Sequence, residues 1–217
     1  MKILLNKELR LAAAPVTYVF LLFTLTTMIP DYPILTGAMF VCLGLFYSFL
    51  RAREANDILY TVLLPVKKSD TVKAKYLFCC CVELAAFAAM ALLTALRMTL
   101  LRDMPVYVNN VMMPANPVFL AFVLLIFAAF NGIFLGGFFE TANNIGKPFA
   151  GFLAAAFLLA GAGETLHHIP ILRFLGQASW PALGWQCIAL AVAALLFALI
   201  TWLSYRQARE NFEALEF

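Results

Sequence analysis

The sequence predicts an all-α integral membrane protein. Its 217 residues are 64% hydrophobic and only 12% charged, with a mean hydropathy of +0.91. So few charged residues cannot cover the surface of a soluble domain. Six long apolar stretches, joined by short polar connections, use up the chain. We therefore expect one membrane domain over residues 1–217, with six transmembrane helices, an N-terminal interfacial helix, a short cytosolic helix between spans 2 and 3, and an external hairpin between spans 5 and 6.

The basic residues lie almost entirely on one side of the path that six spans define. If the chain starts in the cytosol, only Arg97, Arg102 and Arg173 of the 15 Lys and Arg residues lie outside. The positive-inside rule expects such a bias, which predicts cytosolic N- and C-termini. The net charge of +3 comes from the cytosolic loops, and the basic residues form no continuous stripe. Contact with anionic lipid or an acidic partner is expected, and nucleic-acid binding is not.

The spans follow from the apolar windows, because a helix needs about 20 residues to cross a hydrocarbon core of about 30 Å. They are placed at about residues 11–29, 34–50, 76–96, 118–139, 148–164 and 183–203. The fifth is short, since Lys147 and Glu164 leave about 24 Å of uncharged helix between them. Either the membrane is thin at this place or Glu164 is buried in protein.

The chain before the first span predicts a helix along the cytosolic leaflet. Met1–Ala12 mixes leucines with Lys7 and Arg10 on different helical faces, although Glu8 interrupts the apolar side. The alternative is that these basic residues only fix the orientation of the first span.

The cytosolic segment Arg51–Lys75 is longer than a turn between two helices needs. Its first part has the pattern of a short amphipathic helix, which Pro65 would end. A solvated loop with a charged face fits the same pattern. The pattern alone does not choose between the two.

The stretch Asn56–Tyr76 resembles the cytosolic segment after the second span of small bacterial ABC-2-type permeases, the membrane subunits of certain ABC exporters. In that family an Asn-Asp pair precedes Leu-Pro-Val, a basic or polar cluster follows, and Ala-Lys-Tyr enters the third span. Here these are Asn56-Asp57, Leu64-Pro65-Val66 and Ala74-Lys75-Tyr76. Elsewhere the resemblance is to the pattern of spans.

The resemblance implies that Glu54–Leu64 is a coupling helix, which docks on a separate nucleotide-binding subunit. The residues implied in coupling are Glu54, Asn56, Asp57, Tyr60, Leu64 and Pro65. It also implies that the external hairpin caps the exit of a translocation path, with Glu164, His167 and His168 as gate residues. ATP and Mg²⁺ would be bound by the ATPase partner, so no cofactor is expected in this chain. The assembly would contain two permease halves, as a homodimer or with a related subunit.

The chain itself supports the need for an energy-supplying partner. Its one Gly-Lys pair, Gly146-Lys147, is followed by Pro148 and lacks the upstream glycine of a phosphate-binding P-loop. We therefore expect a non-enzymatic permease subunit of an ATP-driven exporter in the bacterial cytoplasmic membrane. The apolar composition favours an amphipathic or hydrophobic cargo, such as a peptide or a lipid-like molecule.

Two polar residues fall inside predicted spans. Glu83 lies about two turns inside the third span, where an unpaired charge is costly. It is either protonated, paired with a basic group or part of the substrate path. Asn131 lies near the middle of the fourth span, where an interhelical hydrogen bond is the simplest role. Glu83 and Asn131 are the candidate residues of the translocation path. The nearby Gly132-x-x-x-Gly136 permits close helix packing, within one bundle or between two subunits.

Two other functions are consistent with parts of the sequence. A membrane-embedded enzyme could use Glu164, His167 and His168 as metal ligands, but a second Glu-x-x-His pair is missing, so a metal site is not expected. A non-transporting immunity protein would need no ATPase partner. The exporter interpretation is preferred because it explains the long, patterned cytosolic segment.

Overall fold

The structure is a computed structural model, which describes residues 2–63, 65–108, 111–141, 145–166, 169 and 182–214. All regular elements in these residues are helical. The α-helices are α1 (Lys2–Lys7), α2 (Pro15–Phe20), α3 (Thr36–Glu54), α4 (Asp57–Leu63), α5 (Lys68–Thr99), α6 (Pro105–Val108), α7 (Pro117–Ala129), α8 (Gly136–Thr141), α9 (Gly146–Leu166) and α10 (Leu183–Ala214). Three further segments continue them: a π segment at Glu8–Ala12, a 3₁₀ segment at Leu21–Met28 and a π segment at Phe130–Leu135.

By length and composition, four helices in the described residues can cross a membrane: α5, the run Pro117–Glu140, α9 and α10. A fifth is added if Ile3–Arg10 and Pro15–Met28 count as one bent span. The helix α3 covers the predicted second span, but its last turn carries Arg51 and Arg53, which lower its mean hydropathy. The multi-pass, all-helical fold is confirmed for the described residues, and the count of six spans is not.

The first span differs from the expected continuous helix over residues 11–29. The helical N-terminal segment ends at Ala12, and the next helix begins at Pro15 with a bend of 79° between the two. Proline has no backbone N–H to donate to a preceding turn, but it is well suited to the first position of a helix. Residues 2–12, here named the N-terminal helix, are therefore separated from the span that follows.

Two helices, α5 and α10, are longer than the predicted spans. α5 has 32 residues, about 48 Å of helix, and begins at Lys68 instead of Tyr76. No helix-breaking residue lies between Pro65 and Tyr76, so the helix extends beyond the apolar window. The last helix, α10, also has 32 residues and continues to Ala214, well past the predicted end at residue 203.

The run from α7 to α8 forms the centre of the bundle. Asn116 caps the start of α7 by accepting a hydrogen bond from the Phe119 N–H at 2.9 Å, and Pro117 takes the first helical position. Most side chains of α7 are buried, and α10 packs along it. A Cβ at Gly132 would lie 3.0 Å from Ile200 of α10. This close approach supports packing within one bundle as the role of that glycine.

The fifth span is a full-length helix. α9 has 21 residues, about 31 Å, because it includes Gly146 and Lys147 at its start and Glu164 in its last turn. The expected 24 Å refers only to the uncharged residues between Lys147 and Glu164, and the helix continues beyond both. The predicted external hairpin falls mainly on residues 167–168 and 170–181, which lie outside the described residues.

Candidate functional site

Four charged side chains from three separate elements meet at one end of the bundle. The buried Lys75 of α5, only 2% exposed, lies at the centre. Its Nζ donates to Glu8 Oε2 of the N-terminal helix at 3.0 Å and to Asp57 Oδ2 of α4 at 3.2 Å. Lys7 completes the set, with its Nζ 2.5 Å from Asp57 Oδ1 and 3.4 Å from Glu8 Oε1. These four residues are named the ion cluster below.

The ion cluster is electrically balanced and joined to the backbone of α4. Two cations face two carboxylates, and Lys7 Nζ also donates to Thr61 Oγ1 at 2.8 Å. The Thr61 hydroxyl in turn donates to the carbonyl oxygen of Asp57 at 2.6 Å. Charge-assisted bonds of this kind are stronger than neutral ones. The arrangement therefore fixes α4 against the N-terminal helix and the start of α5.

Asp57 is held in its charged form by the two lysines. Burial raises the pKa of Asp57, but the charges of Lys75 and Lys7 and the hydrogen bonds from both lysines outweigh it, so the pKa lies below its usual range. Lys75 also lies over the ring of Phe49, with Nζ 5.6 Å from the ring centroid. Each buried charge in the cluster thus has direct partners, as buried charges require.

A tight turn brings Asp57 to this position. α3 ends at Glu54, and Asn56 has a φ of 51°, a left-handed conformation that asparagine tolerates better than most residues. The chain reverses within Ala55 and Asn56, and α4 begins at Asp57. An acidic residue in the first turn is also favourable for the helix dipole.

A second polar contact lies in the apolar interior. Glu83 is 0% exposed, and its Oε2 accepts a hydrogen bond from Asn131 Nδ2 at 2.9 Å. The same amide nitrogen donates to Thr201 Oγ1 of α10 at 3.1 Å. These three residues, named the polar tie, connect α5, the π segment Phe130–Leu135 and α10.

The π segment exposes a backbone acceptor beside the polar tie. Ser204 Oγ donates to the carbonyl oxygen of Asn131 at 2.7 Å, and Ser204 Oγ lies 2.7 Å from the Tyr76 hydroxyl. Widened π turns leave carbonyl groups without their normal helical partner and often occur at functional positions. Glu83 Oε1 and Asn131 Oδ1 have no hydrogen-bond partner among the described residues.

The family model described as "ABC-2 family transporter protein" matches residues 3–210, nearly the whole chain. The chain belongs to this ABC-2 transporter family. It is therefore a membrane component of a transporter, and members of such permease families work with an ABC ATPase in general. No curated protein and no solved structure matches the chain.

In this ABC-2 permease, the residues implied in coupling do not form one contact set. Asp57 enters the ion cluster, whereas Glu54, Asn56, Tyr60 and Pro65 have exposed side chains. Glu54 is the last residue of α3, so the short helix begins three residues later than expected. Leu64 lies outside the described residues.

Sequence reasoning missed three members of the ion cluster of this ABC-2 permease. The sequence pattern assigns Lys7 and Glu8 only to an interfacial helix, and Lys75 only to the Ala-Lys-Tyr motif that enters the third span. A signal was present, since a lysine adjoining an apolar span needs a carboxylate when it is buried. The misplaced Glu8 on the apolar side of the N-terminal helix is that carboxylate.

The predicted path residues of the ABC-2 permease do meet, because Glu83 and Asn131 form the polar tie. None of the ion pairs in the described residues includes Glu83, so a basic partner is not found there. At the opposite end, Glu164 Oε2 accepts a hydrogen bond from the Met113 N–H at 2.9 Å. His167 and His168 lie outside the described residues. Within the described part, no three His, Cys, Asp or Glu residues are arranged to hold a metal ion.

Proposed function

We propose that this chain is the transmembrane permease subunit of an ATP-driven exporter in the bacterial cytoplasmic membrane. In this proposal α4 is the coupling helix, and an ABC ATPase docks on it from the cytosol. The observation that carries the proposal is the ion cluster. A short helix outside the apolar spans is bonded through Asp57 to Lys75, which lies in the first part of α5, a helix of 32 residues.

The surface of α4 fits a docking role. Tyr60 is 65% exposed and Leu63 is 75% exposed, one turn apart on a helix of only seven residues. Exposed aromatic and aliphatic side chains are the usual anchors of protein interfaces. Family membership supplies the partner's class, because an ABC-2 permease works with an ABC ATPase in general.

Movement of α4 would reach the interior through α5. Lys75 and Glu83 are eight residues apart on this one helix, about 12 Å along its axis. Glu83 is bonded to Asn131, which is bonded to Thr201 of α10. A displacement of the coupling helix would thus act on the ion cluster first and on the polar tie second.

The apolar outer faces of the bundle suit contact with lipid and with a second subunit. α9 and α10 carry many large exposed apolar side chains, among them Phe157, Leu158, Leu195 and Leu199. These faces would contact lipid and a second permease subunit, either an identical chain or a related one. An amphipathic or hydrophobic peptide or lipid-like cargo suits a path of this composition. ATP and Mg²⁺ would bind only to the ATPase partner.

The test is to coexpress the chain with an ABC ATPase whose gene lies next to its own. We expect the two proteins to copurify, and vesicles containing both to couple ATP hydrolysis to transport. Tyr60→Ala should weaken copurification, because it removes an exposed anchor of α4. Asp57→Asn should leave copurification largely intact but lower ATP-dependent transport at least several-fold, since it loosens the link to α5.

Asp70→Asn is the matched control, because it removes a carboxylate from the start of α5 that has no part in the ion cluster. It should leave both copurification and transport near the wild-type level. Equal effects of D57N and D70N would contradict coupling through the cluster. Protection of cells from a toxic peptide without any ATPase would favour an immunity protein instead, and a stoichiometric bound metal would favour an enzyme.

A further inference from the structure

The helix α5 carries one buried basic residue near each end, and only one of the two has carboxylate partners among the described residues. Lys75 and Arg97 are 22 residues apart, about 33 Å along the helix, close to the thickness of a hydrocarbon core. Lys75 is bonded to two carboxylates. Arg97 is 6% exposed and takes part in none of the ion pairs of the described residues.

The contacts of Arg97 are all with neutral groups. Its Nη1 donates to the carbonyl oxygen of Thr27 at 2.6 Å, and the guanidinium lies 4.3 Å from the ring centroid of Tyr107. The Tyr107 hydroxyl donates to the Met28 carbonyl oxygen at 2.9 Å, which holds the ring in place. A guanidinium has five N–H donors, so these contacts leave most of its hydrogen-bonding capacity and all of its charge unmatched.

None of the described carboxylates forms an ion pair with Arg97. At this end of the bundle Asp31 accepts a hydrogen bond from the Val111 N–H, Glu164 accepts one from the Met113 N–H, and Asp103 is exposed beyond the end of α5. Of the 12 Asp and Glu residues, only Glu216 falls outside the described residues.

Two buried hydroxyl groups accompany the guanidinium. Thr27 Oγ1 and Thr94 Oγ1 have no hydrogen-bond partner among the described residues, although Thr27 is 0% and Thr94 is 2% exposed. Thr94 lies one turn before Arg97 on the same face of α5. Thr27 also supplies the carbonyl oxygen that Arg97 contacts. Buried hydroxyls without partners and a buried cation without an ion pair are groups that an anion with several oxygens would satisfy.

We propose that Arg97, with the hydroxyls of Thr27 and Thr94, forms a binding site for an oxyanion, a phosphate or carboxylate group. The ligand is the headgroup phosphate of a membrane lipid or a free oxyanion, such as one carried by the cargo. Arginine suits either group because its planar fork can donate two parallel hydrogen bonds. Tyr107 covers one face of the guanidinium, so the oxyanion approaches its edge.

The test uses the full chain in dodecyl maltoside, a detergent without phosphate, in phosphate-free buffer. Inorganic phosphate, acetate, phosphatidylglycerol and phosphatidylcholine are added separately, and the thermal unfolding midpoint is followed as a function of concentration. A ligand that binds the folded state raises the midpoint. We expect at least one of these probes to stabilise the wild type, and Arg97→Gln to weaken its apparent affinity at least tenfold.

Arg102→Gln is the matched control, since it removes an exposed basic residue from the same end of the bundle. It should keep the wild-type response. A response to inorganic phosphate or acetate identifies a free oxyanion, and a response to the phospholipids alone identifies a headgroup. If R97Q does not fold, Arg97→Lys and Thr94→Val take its place, and both should weaken the response several-fold. The proposal is overturned if no probe stabilises the wild type, or if the Arg97 and Thr94 variants respond as the wild type does.

Discussion

Asn131 donates an amide hydrogen to Glu83 across 2.9 Å in the interior of the bundle, so two polar residues from separate predicted spans form one contact. Asn131 uses its second amide hydrogen for Thr201. Because apolar packing is weakly directional, polar contacts of this kind contribute to the rotational setting of helices inside a membrane. The polar tie therefore fixes how α5, the π segment and α10 face one another.

The polar tie predicts a graded response to substitution of Glu83. We expect Glu83→Ala to lower the free energy of unfolding by about 1–3 kcal/mol, because Asn131 loses a buried acceptor. Glu83→Gln keeps the shape and one acceptor oxygen, so it should remain within about 1 kcal/mol of the wild type. Denaturant unfolding in detergent micelles measures both. A double-mutant cycle with Asn131→Ala should give a coupling of about 0.6–1.7 kcal/mol, and additivity of the two changes would contradict the contact.

The ion cluster predicts a strong effect of removing its central cation. Lys75→Ala removes the buried cation that contacts both Glu8 and Asp57, so the two carboxylates share one cation, Lys7, in place of two. We expect a loss of about 3–5 kcal/mol, typical for breaking a buried ion pair on one side. Lys73→Ala, two residues away on the same helix and exposed, should change stability by less than about 0.5 kcal/mol. Similar losses for the two variants would show that Lys75 has no special role.

The lowered pKa of Asp57 predicts how the cluster depends on pH. A carboxyl group whose pKa is lower in the folded state stabilises the protein at pH values above its ordinary value of 3.8. That contribution is lost as the pH falls through the lower, folded-state value. The stability difference between wild type and Asp57→Asn should therefore be constant from neutral pH to about pH 5, and it should shrink in more acidic buffer.

The unfolding midpoint in detergent, measured across this pH range, checks the prediction. Asp70→Asn controls for the general effect of removing a carboxylate near the start of α5, and its difference from wild type should stay small throughout. If the stability difference between wild type and D57N instead grows as the pH falls, the pKa of Asp57 is raised and not lowered in the folded state. That result would contradict the assignment of the two lysines as its partners.

Hydropathy and charge predicted the helical membrane fold well, because apolar windows report directly on the cost of placing charges in lipid. They predicted helix ends poorly. α5 and α10 continue as helices beyond their apolar windows, because polar residues by themselves do not end a helix. The break before Pro15 was missed because the apolar window continues across it, although the proline itself was a local signal.

The candidate site was predictable only in part. The resemblance pointed to Asp57 through the Asn-Asp pair, but its partners come from positions 50 residues earlier and 18 residues later. Such pairing depends on how three helices pack, which a local pattern does not contain. Arg97 stood out as one of three basic residues on the wrong side of the charge bias. Its burial without an ion-pair partner among the described residues became visible only in the structure.

Gly37 offers a direct test of the packing between the first span and α3, and Gly161 of α9 is its control. A Cβ at Gly37 would lie 2.6 Å from Thr26 Oγ1 and 2.7 Å from the carbonyl oxygen of Phe23, so the backbones would have to move apart. We expect Gly37→Ala to lower the free energy of unfolding by about 1–3 kcal/mol, as overpacking does.

Gly161 of α9 has no neighbouring atom within 4 Å of such a Cβ. Gly161→Ala should be neutral or stabilise by up to about 1 kcal/mol, because alanine favours the helix. Unfolding of both variants in the same detergent gives the comparison, and a neutral Gly37→Ala would mean that the two helices pack less closely than described.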